Sequence, residues 1–284
     1  LVQRPGFTAA IVLTLGLAIG ANATIFSWID AVVLNPLPGV PRASEVVVVR
    51  FATATRANLS LSYPNYRDIR DSRPQGLTGI AVYEQMPVSM RINDAPERAW
   101  AEIVSGNIFE VLQVNAALGR TLMPSDEAAP GQSFVTVISD RLWRRRFAAD
   151  PQIVGRAVGI NGHSFTIVGV TPPEFRGAMS GLSMDLWLPV SMHPLLSGND
   201  RLEARGSGWL KGIARKLPGE RGEAADASLR VIADRLAADH AVNEGRTLRA
   251  AALSEEGVAS VLGPVLSIVM GVVALVLLIA CANV

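Results

Sequence analysis

The sequence predicts an α+β fold: a mixed-sheet extracytoplasmic domain flanked by two transmembrane helices. Three observations predict it. Residues 7–34 (FTAAIVLTLGLAIGANATIFSWIDAVVL) carry no Asp, Glu, Lys or Arg as far as Trp28, and about 20 apolar residues rising ~1.5 Å each cross the hydrocarbon core of a bilayer. Residues 258–284 (VASVLGPVLSIVMGVVALVLLIACANV) form a second such run. Between the two, short β-branched runs bounded by turn formers alternate with a few amphipathic helical patterns, as in a water-soluble mixed domain. The expected organisation is a cytoplasmic stub at 1–6, a first transmembrane helix at 7–34, a core domain at 35–257 and a second transmembrane helix at 258–284.

Composition supports this partition. The chain has 284 residues, 49% hydrophobic, and a formal net charge of +1. The apolar excess lies at the two ends, and no basic run suggests a nucleic-acid partner. The single cysteine, Cys281, lies within the second apolar run, so no intrachain disulfide forms. The first run is too long and too polar at its exit for a cleaved signal peptide. Arg4 is the nearby cation before it, which places the N-terminus in the cytoplasm by the positive-inside rule. Leu1 is not methionine and Val284 lies within an apolar run, so the chain is expected to be an excerpt of a longer protein.

Within the first span Gly16 and Gly20 form a small-xxx-small pair, the spacing that lets two membrane helices approach closely. Asn22, Thr24 and Ser27 follow. Gly16, Gly20 and Asn22 are therefore the helix-packing candidates. The alternative is that the hydroxyls bond back to the preceding turn and the glycines are merely tolerated. Three prolines and a glycine in residues 34–41 (LNPLPGVP) end the helix and make a stiff exit from the membrane.

Residues 45–51 (EVVVVRF) predict a buried strand. Ser62 caps a helix through 72 with Pro64 in its first turn and Tyr66 and Ile69 inward. Residues 79–92 and 98–105 predict an antiparallel pair around a turn at 93–95, with Ala99, Ala101 and Ile103 on one face and Trp100, Glu102 and Val104 on the other. A short helix within 106–120 buries Phe109 and Leu112, and 121–131 is an acidic surface loop. A strand at 133–138 leads to a helix at 140–149, capped by Ser139, with Trp143 and Phe147 inward and Arg144 and Arg145 outward. Asn161-Gly162 marks a two-residue type I′ hairpin within 156–170, because both positions need positive φ. An exposed, methionine-dotted loop runs from Phe175 to Asp185, followed by strands at 186–190 and 208–217. Residues 223–240 form a helix with Leu229, Ile232 and Leu236 on one face, and Glu255 and Glu256 mark the surface before the second span.

Catalytic patterns are absent from the sequence. His163, His193 and His240 fall on a hairpin strand, a loop and a helix end, none with a partner at metal-ligand spacing. No G-x-S-x-G or G-x-x-x-x-G-K-[ST] occurs. Glu255, Glu256 and Asp185 are expected as solvated surface carboxylates. The chain is read as no enzyme, with no cofactor.

Several phrases, in order along most of the chain, resemble one family. They are RPGFTAA…TLGLAIGANATIFS (4–27), LSYPNYRDIR (61–70), VSGNIFEVLQVNAALGRTL (104–122), VISDRLWRRRFAADPQIVGR (137–156), INGHSFTIVGVTPPEFRG (160–177) and LLIACANV (277–284). The chain resembles MacB-like permease subunits of ABC transporters, related to FtsX-like permeases, and in detail the duplicated bacterial orphan permeases that carry no ATPase of their own. The resemblance implies a multi-pass protein of the bacterial inner membrane with a periplasmic core domain that does no chemistry. It implies that this domain couples conformational change in the membrane to export or to an extracytoplasmic partner. The implied partners are membrane lipid, a separate ABC ATPase subunit, and a periplasmic adaptor or a homologous second permease half. Two spans around an outer domain are also the layout of a membrane-anchored sensor or ligand-binding receptor, the alternative from a different class.

Overall fold

The computed structural model describes residues 37–92, 95–127, 130–179 and 181–255, with scattered helical positions between 12 and 27 and between 265 and 278. The chain divides into two compact units, one of Leu1–Pro36, Met179–Gly181 and Ser254–Val284, the other of Leu37–Ala178 and Leu182–Leu253.

In the first unit every described position from Val12 to Ser27 is helical. Thr24 Oγ1 donates to the Gly20 carbonyl and Ser27 Oγ to the Ala23 carbonyl, each at 2.8 Å. The hydroxyls therefore bond back to the preceding turn, the alternative stated above for these positions. Among the described residues no helix is long and apolar enough to cross a membrane. Most of the stretches expected at 7–34 and 258–284 lie outside the described residues, as do the stub at 1–6, Trp28, Asn93, Asp94, Glu256 and Cys281.

The second unit is built on a mixed sheet, ten-stranded among the described residues, nine of the strands following one another along the sheet and the tenth, residues 157–160, pairing off that path. Strand β1 (Val46–Ala52) is buried at every position, as expected where both faces of a strand are covered. It lies between β9 (Lys211–Lys216) and β10 (Thr247–Ala252), antiparallel to both. Helix α1 (Tyr63–Asp71) starts where Ser62 accepts from the Asn65 N–H at 3.4 Å. It presents Tyr66 and Ile69 to a core shared with Val47, Val49, Phe51 and Leu229, Ile232 and Leu236 of helix α5 (Glu223–Asp239). The outward Ala250 N–H of edge strand β10 donates to Asp226 of α5 at 3.1 Å, which closes part of an edge otherwise open to another chain.

Strand β2 (Leu77–Ile92) is long enough to serve two assemblies. Its first half pairs with β9, its second half with β3 (Ala95–Val104), and Met90 and Arg91 also pair with β6 (Ala157–Ile160). From β3 the pairing runs through β8 (Leu186–Pro189), β5 (Val135–Ile138) and β7 (His163–Val170) back to β6. Six strands therefore close a ring, which removes sheet edges. The hairpin between β6 and β7 turns on Asn161 at φ 47° and Gly162 at φ 85°, the type I′ geometry that Asn-Gly favours. Strand β4 (Leu118–Gly119) adds a two-residue edge.

Helix α2 (Ile108–Leu112) follows β3 and ends where Gln113 turns left-handed at φ 56°. Helix α3 (Asp140–Phe147) is capped by Ser139, whose hydroxyl accepts from the Leu142 N–H at 3.1 Å. Phe147 is buried, Trp143 half-buried and Arg144 and Arg145 are exposed, as the spacing predicts.

Four expectations are corrected. The stretch from Phe175 to Asp185 is not an exposed loop, because Phe175, Ala178, Met184 and Asp185 are all buried. Asp185 is no solvated carboxylate: it accepts from the Trp100 N–H at 3.1 Å and from Arg141 Nη2 at 3.0 Å. The acidic stretch 121–131 buries Leu122, Asp126 and Glu127 around a 3-10 turn, where Arg120 neutralises Asp126 through two hydrogen bonds of 2.6 and 3.0 Å. His193 lies on helix α4 (His193–Ser197) and not in a loop, stacked on Trp209 with ring centroids 4.1 Å apart.

Candidate functional site

The site is built around the entry of the chain into the core domain, residues 37–45. Leu37 is 1% exposed and Val40 is buried. Gly39 adopts φ +78°, a region that favours glycine. A Cβ there would lie 2.6 Å from the Phe175 nitrogen and 2.8 Å from the Glu174 carbonyl carbon, so the two backbones touch. Arg42 Nη2 donates to Gln113 Oε1 at 2.7 Å, and Glu45 closes a 3-10 turn. Residues 37–45 are thus held by contacts with segments distant in the chain.

Arg215, near the end of β9, holds this entry. It is 1% exposed. Its guanidinium donates from Nε to the Val111 carbonyl at 2.7 Å, from Nη2 to the Leu112 carbonyl at 2.9 Å, and from Nη1 to Glu45 Oε2 at 3.1 Å. The last carbonyls of a helix have no partner within it, and the negative end of the helix dipole favours a cation. An arginine cannot shed its charge, so burying it requires this paired arrangement. One side chain thereby ties β9, the end of α2 and the entry segment together.

Beside it, Phe109 of α2, Phe175 and Trp187 of β8 pack with centroids 5.2 to 6.0 Å apart. The indole Nε1 of Trp187 donates to Glu102 Oε2 at 2.7 Å, and the Ala178 N–H donates to both carboxylate oxygens at 2.9 and 3.1 Å. Glu102 is fully buried on β3. Burial pushes its carboxyl up to about 7, against the opposing effect of the Trp187 and Ala178 hydrogen bonds and of Lys211. Gln85, its cross-strand partner, also lowers it, although Gln85 Nε2 is buried without a partner in hydrogen-bond geometry.

A carboxyl raised in the folded state stabilises the fold fully below its unfolded value of 4.5, and that contribution disappears as pH rises through about 7. Between those limits Glu102 is expected to remove roughly 3 kcal/mol of stability. The Glu102→Gln variant should lose this slope. Chemical denaturation at a series of pH values measures it, with two smaller contributions common to both proteins. Glu84 is raised by burial and acts in the same direction, while His193 is lowered by burial and acts oppositely.

At the other end of α2 lies an open cleft of about 550 Å³ lined by Tyr63, Arg67, Arg70, Asn107, Glu110 and Glu127. Glu127 accepts from the Tyr63 hydroxyl at 2.7 Å and from the Gly106 N–H at 2.6 Å. Burial, and then the Glu127 charge, raises both the Tyr63 and the Tyr66 hydroxyls, so both remain protonated donors. Among the described residues lining the cleft there is no Ser, Thr, Cys, Lys or His. Among the described residues no three His, Cys, Asp or Glu side chains are placed to hold a metal.

Of the helix-packing candidates, Gly16 and Gly20 lie on exposed helical positions where a Cβ would meet no atom within 4 Å. Asn22 is half-buried. All three belong to the first unit and Arg215 to the second. The site residues Gly39, Arg215 and Glu102 carry only weak signals in sequence: a glycine among prolines, and single charges interrupting apolar strands.

The family model of the MacB-like periplasmic core domain matches residues 8–232. No curated protein matches the chain. Among solved structures, the periplasmic region of MacB from Actinobacillus actinomycetemcomitans aligns with 14% identity and a TM-score of 0.52, over 72% of this chain and 88% of that one. The extracellular domain of the noncanonic ABC-type transporter YknZ from Gram-positive bacteria aligns with 12% identity and a TM-score of 0.50, over 72% and 98%. A domain of a permease protein from Porphyromonas gingivalis aligns with 16% identity and a TM-score of 0.54, over 75% and 92%. At these identities the structures share the fold.

Proposed function

Because the chain belongs to the family of MacB-like periplasmic core domains, we propose that it is part of the permease of an ABC-type transporter, in which the core domain couples movement of membrane helices to export or to an extracytoplasmic partner. In this reading residues 7–34 and 258–284 are transmembrane helices of the bacterial inner membrane and the domain is periplasmic. Gly16 and Gly20 share the face on which another span packs, and Asn22 is a further helix-packing residue. ATP hydrolysis belongs to a separate subunit, and an adaptor or a second permease half receives the motion outside.

The observation that carries the coupling role is the fixed entry: Arg215 ties residues 42–45 to α2 and β9. A flexible tether would absorb a helix displacement, whereas a hydrogen-bonded one transmits it. Affinity purification of the full-length protein from its native membrane is expected to recover an ABC ATPase subunit. Recovery of a kinase or a coiled-coil signalling domain in its place would overturn the reading.

A further inference from the structure

Glu102 is a carboxyl group shielded completely from water, and the chemistry around it is uneven. Two donors reach it: the Trp187 indole from β8 and the Ala178 amide from the stretch that follows β7. Its cross-strand neighbour on β2 is the neutral Gln85. Gly177 leaves no room at the carboxylate, since a Cβ there would lie 2.9 Å from Glu102 Oε1 and 2.9 Å from Met184 Cγ. Lys211 of β9 is the cation whose field reaches Glu102, and it is also engaged with Glu84 and the Tyr83 ring. No guanidinium or ammonium donates to Glu102 in any described hydrogen bond. Ionised, it is a buried charge with two neutral donors, which is costly. Protonated on Oε1, it keeps both donors on Oε2, because Ala178 is within reach of either oxygen. A half-turn of the Gln85 amide, opposite Glu102 on β2, would present its carbonyl oxygen as an acceptor for the new hydroxyl.

We propose that Glu102 is a proton-operated latch, which holds the stretch carrying Ala178 on the sheet while protonated and releases it when the proton passes to solvent. Water then enters to solvate the carboxylate, and the Ala178 contact opens. The inference deepens the coupling reading and rests on it for its consequence, since Ala178 is the last residue of the domain before the chain passes to residues 179–181. A periplasmic domain exposed to external pH would in this way adjust how firmly it holds its own residues 175–178.

Hydrogen–deuterium exchange of the full chain in nanodiscs, near pH 5.5 and near pH 8.5 and corrected for intrinsic exchange, tests the latch. The amides of residues 175–178 and 182–184 are expected to lose protection by about tenfold at the higher pH, and Glu102→Gln is expected to keep them protected at both. The same pH response in the variant, or none in the wild type, overturns the proposal. Should the variant fold poorly, the Trp187 indole N–H resonance of the wild type serves in its place: a titration with its midpoint near pH 7 is expected, and a flat trace contradicts the latch. Neither readout depends on transport or on an ATPase, so the latch and the coupling reading fail separately.

Discussion

Replacing Arg215 with leucine is expected to lower the stability of the core domain by about 3–5 kcal/mol, the usual cost of breaking a buried charged network by removing one partner. The loss has two sources. The Val111 and Leu112 carbonyls lose their donors in a dry environment, and Glu45 loses one of its two cations, keeping Arg42. Lysine restores the charge without the planar fork, so Arg215→Lys should recover less than half of the loss. Arg230, exposed on α5, is the control, and its leucine variant should stay within about 0.5 kcal/mol of wild type. Denaturant unfolding of the full chain in detergent measures all three. If Arg215→Leu behaves like the control, the network does not hold the entry segment.

The second large effect is expected at Gly39. Alanine there meets two penalties. Left-handed backbone costs a residue with a Cβ about 1–2 kcal/mol, and the new atom falls within 2.8 Å of the Phe175 and Glu174 backbone, adding about 1–3 kcal/mol of overpacking. Gly198 separates the two, because it has φ +70° and open space around it. Gly198→Ala should cost only the backbone portion, and the difference between the variants measures the contact between residues 39 and 175. Equal costs would show that the entry does not bear on Phe175.

The local grammar of this fold is plain in the sequence, and its long-range ties are not. Ser62 and Ser139 announce their helices, Asn161-Gly162 announces its hairpin, and alternation places Glu102 on the face opposite Ala101 and Ile103. Strand β10 escapes detection because its TLRAAA sequence is poor in β-branched residues; what makes it a strand is the paired neighbour β1. The stretch around Phe175 to Asp185 looks polar and irregular, yet Phe175 and Ala178 are buried because Gly39, Trp187 and Glu102 meet them. Arg215 bonds to a carbonyl 104 residues away, and no periodicity reports such a contact. The elements of the site were legible singly, while their convergence is a property of the closed ring and of the long strand β2.

The central claim is that helix movement enters the domain through the fixed segment 37–45. It is tested most directly in the full-length transporter, reconstituted with the ATPase that co-purifies with it. Hydrogen–deuterium exchange of α2 and β9 is compared before and after trapping the ATPase with vanadate, in the native chain and in one with a short Gly-Ser linker between Pro36 and Leu37. The account predicts that trapping changes the protection of both elements in the native chain and leaves them unchanged with the linker, while ATP hydrolysis continues in both. An identical response in the two chains would contradict it.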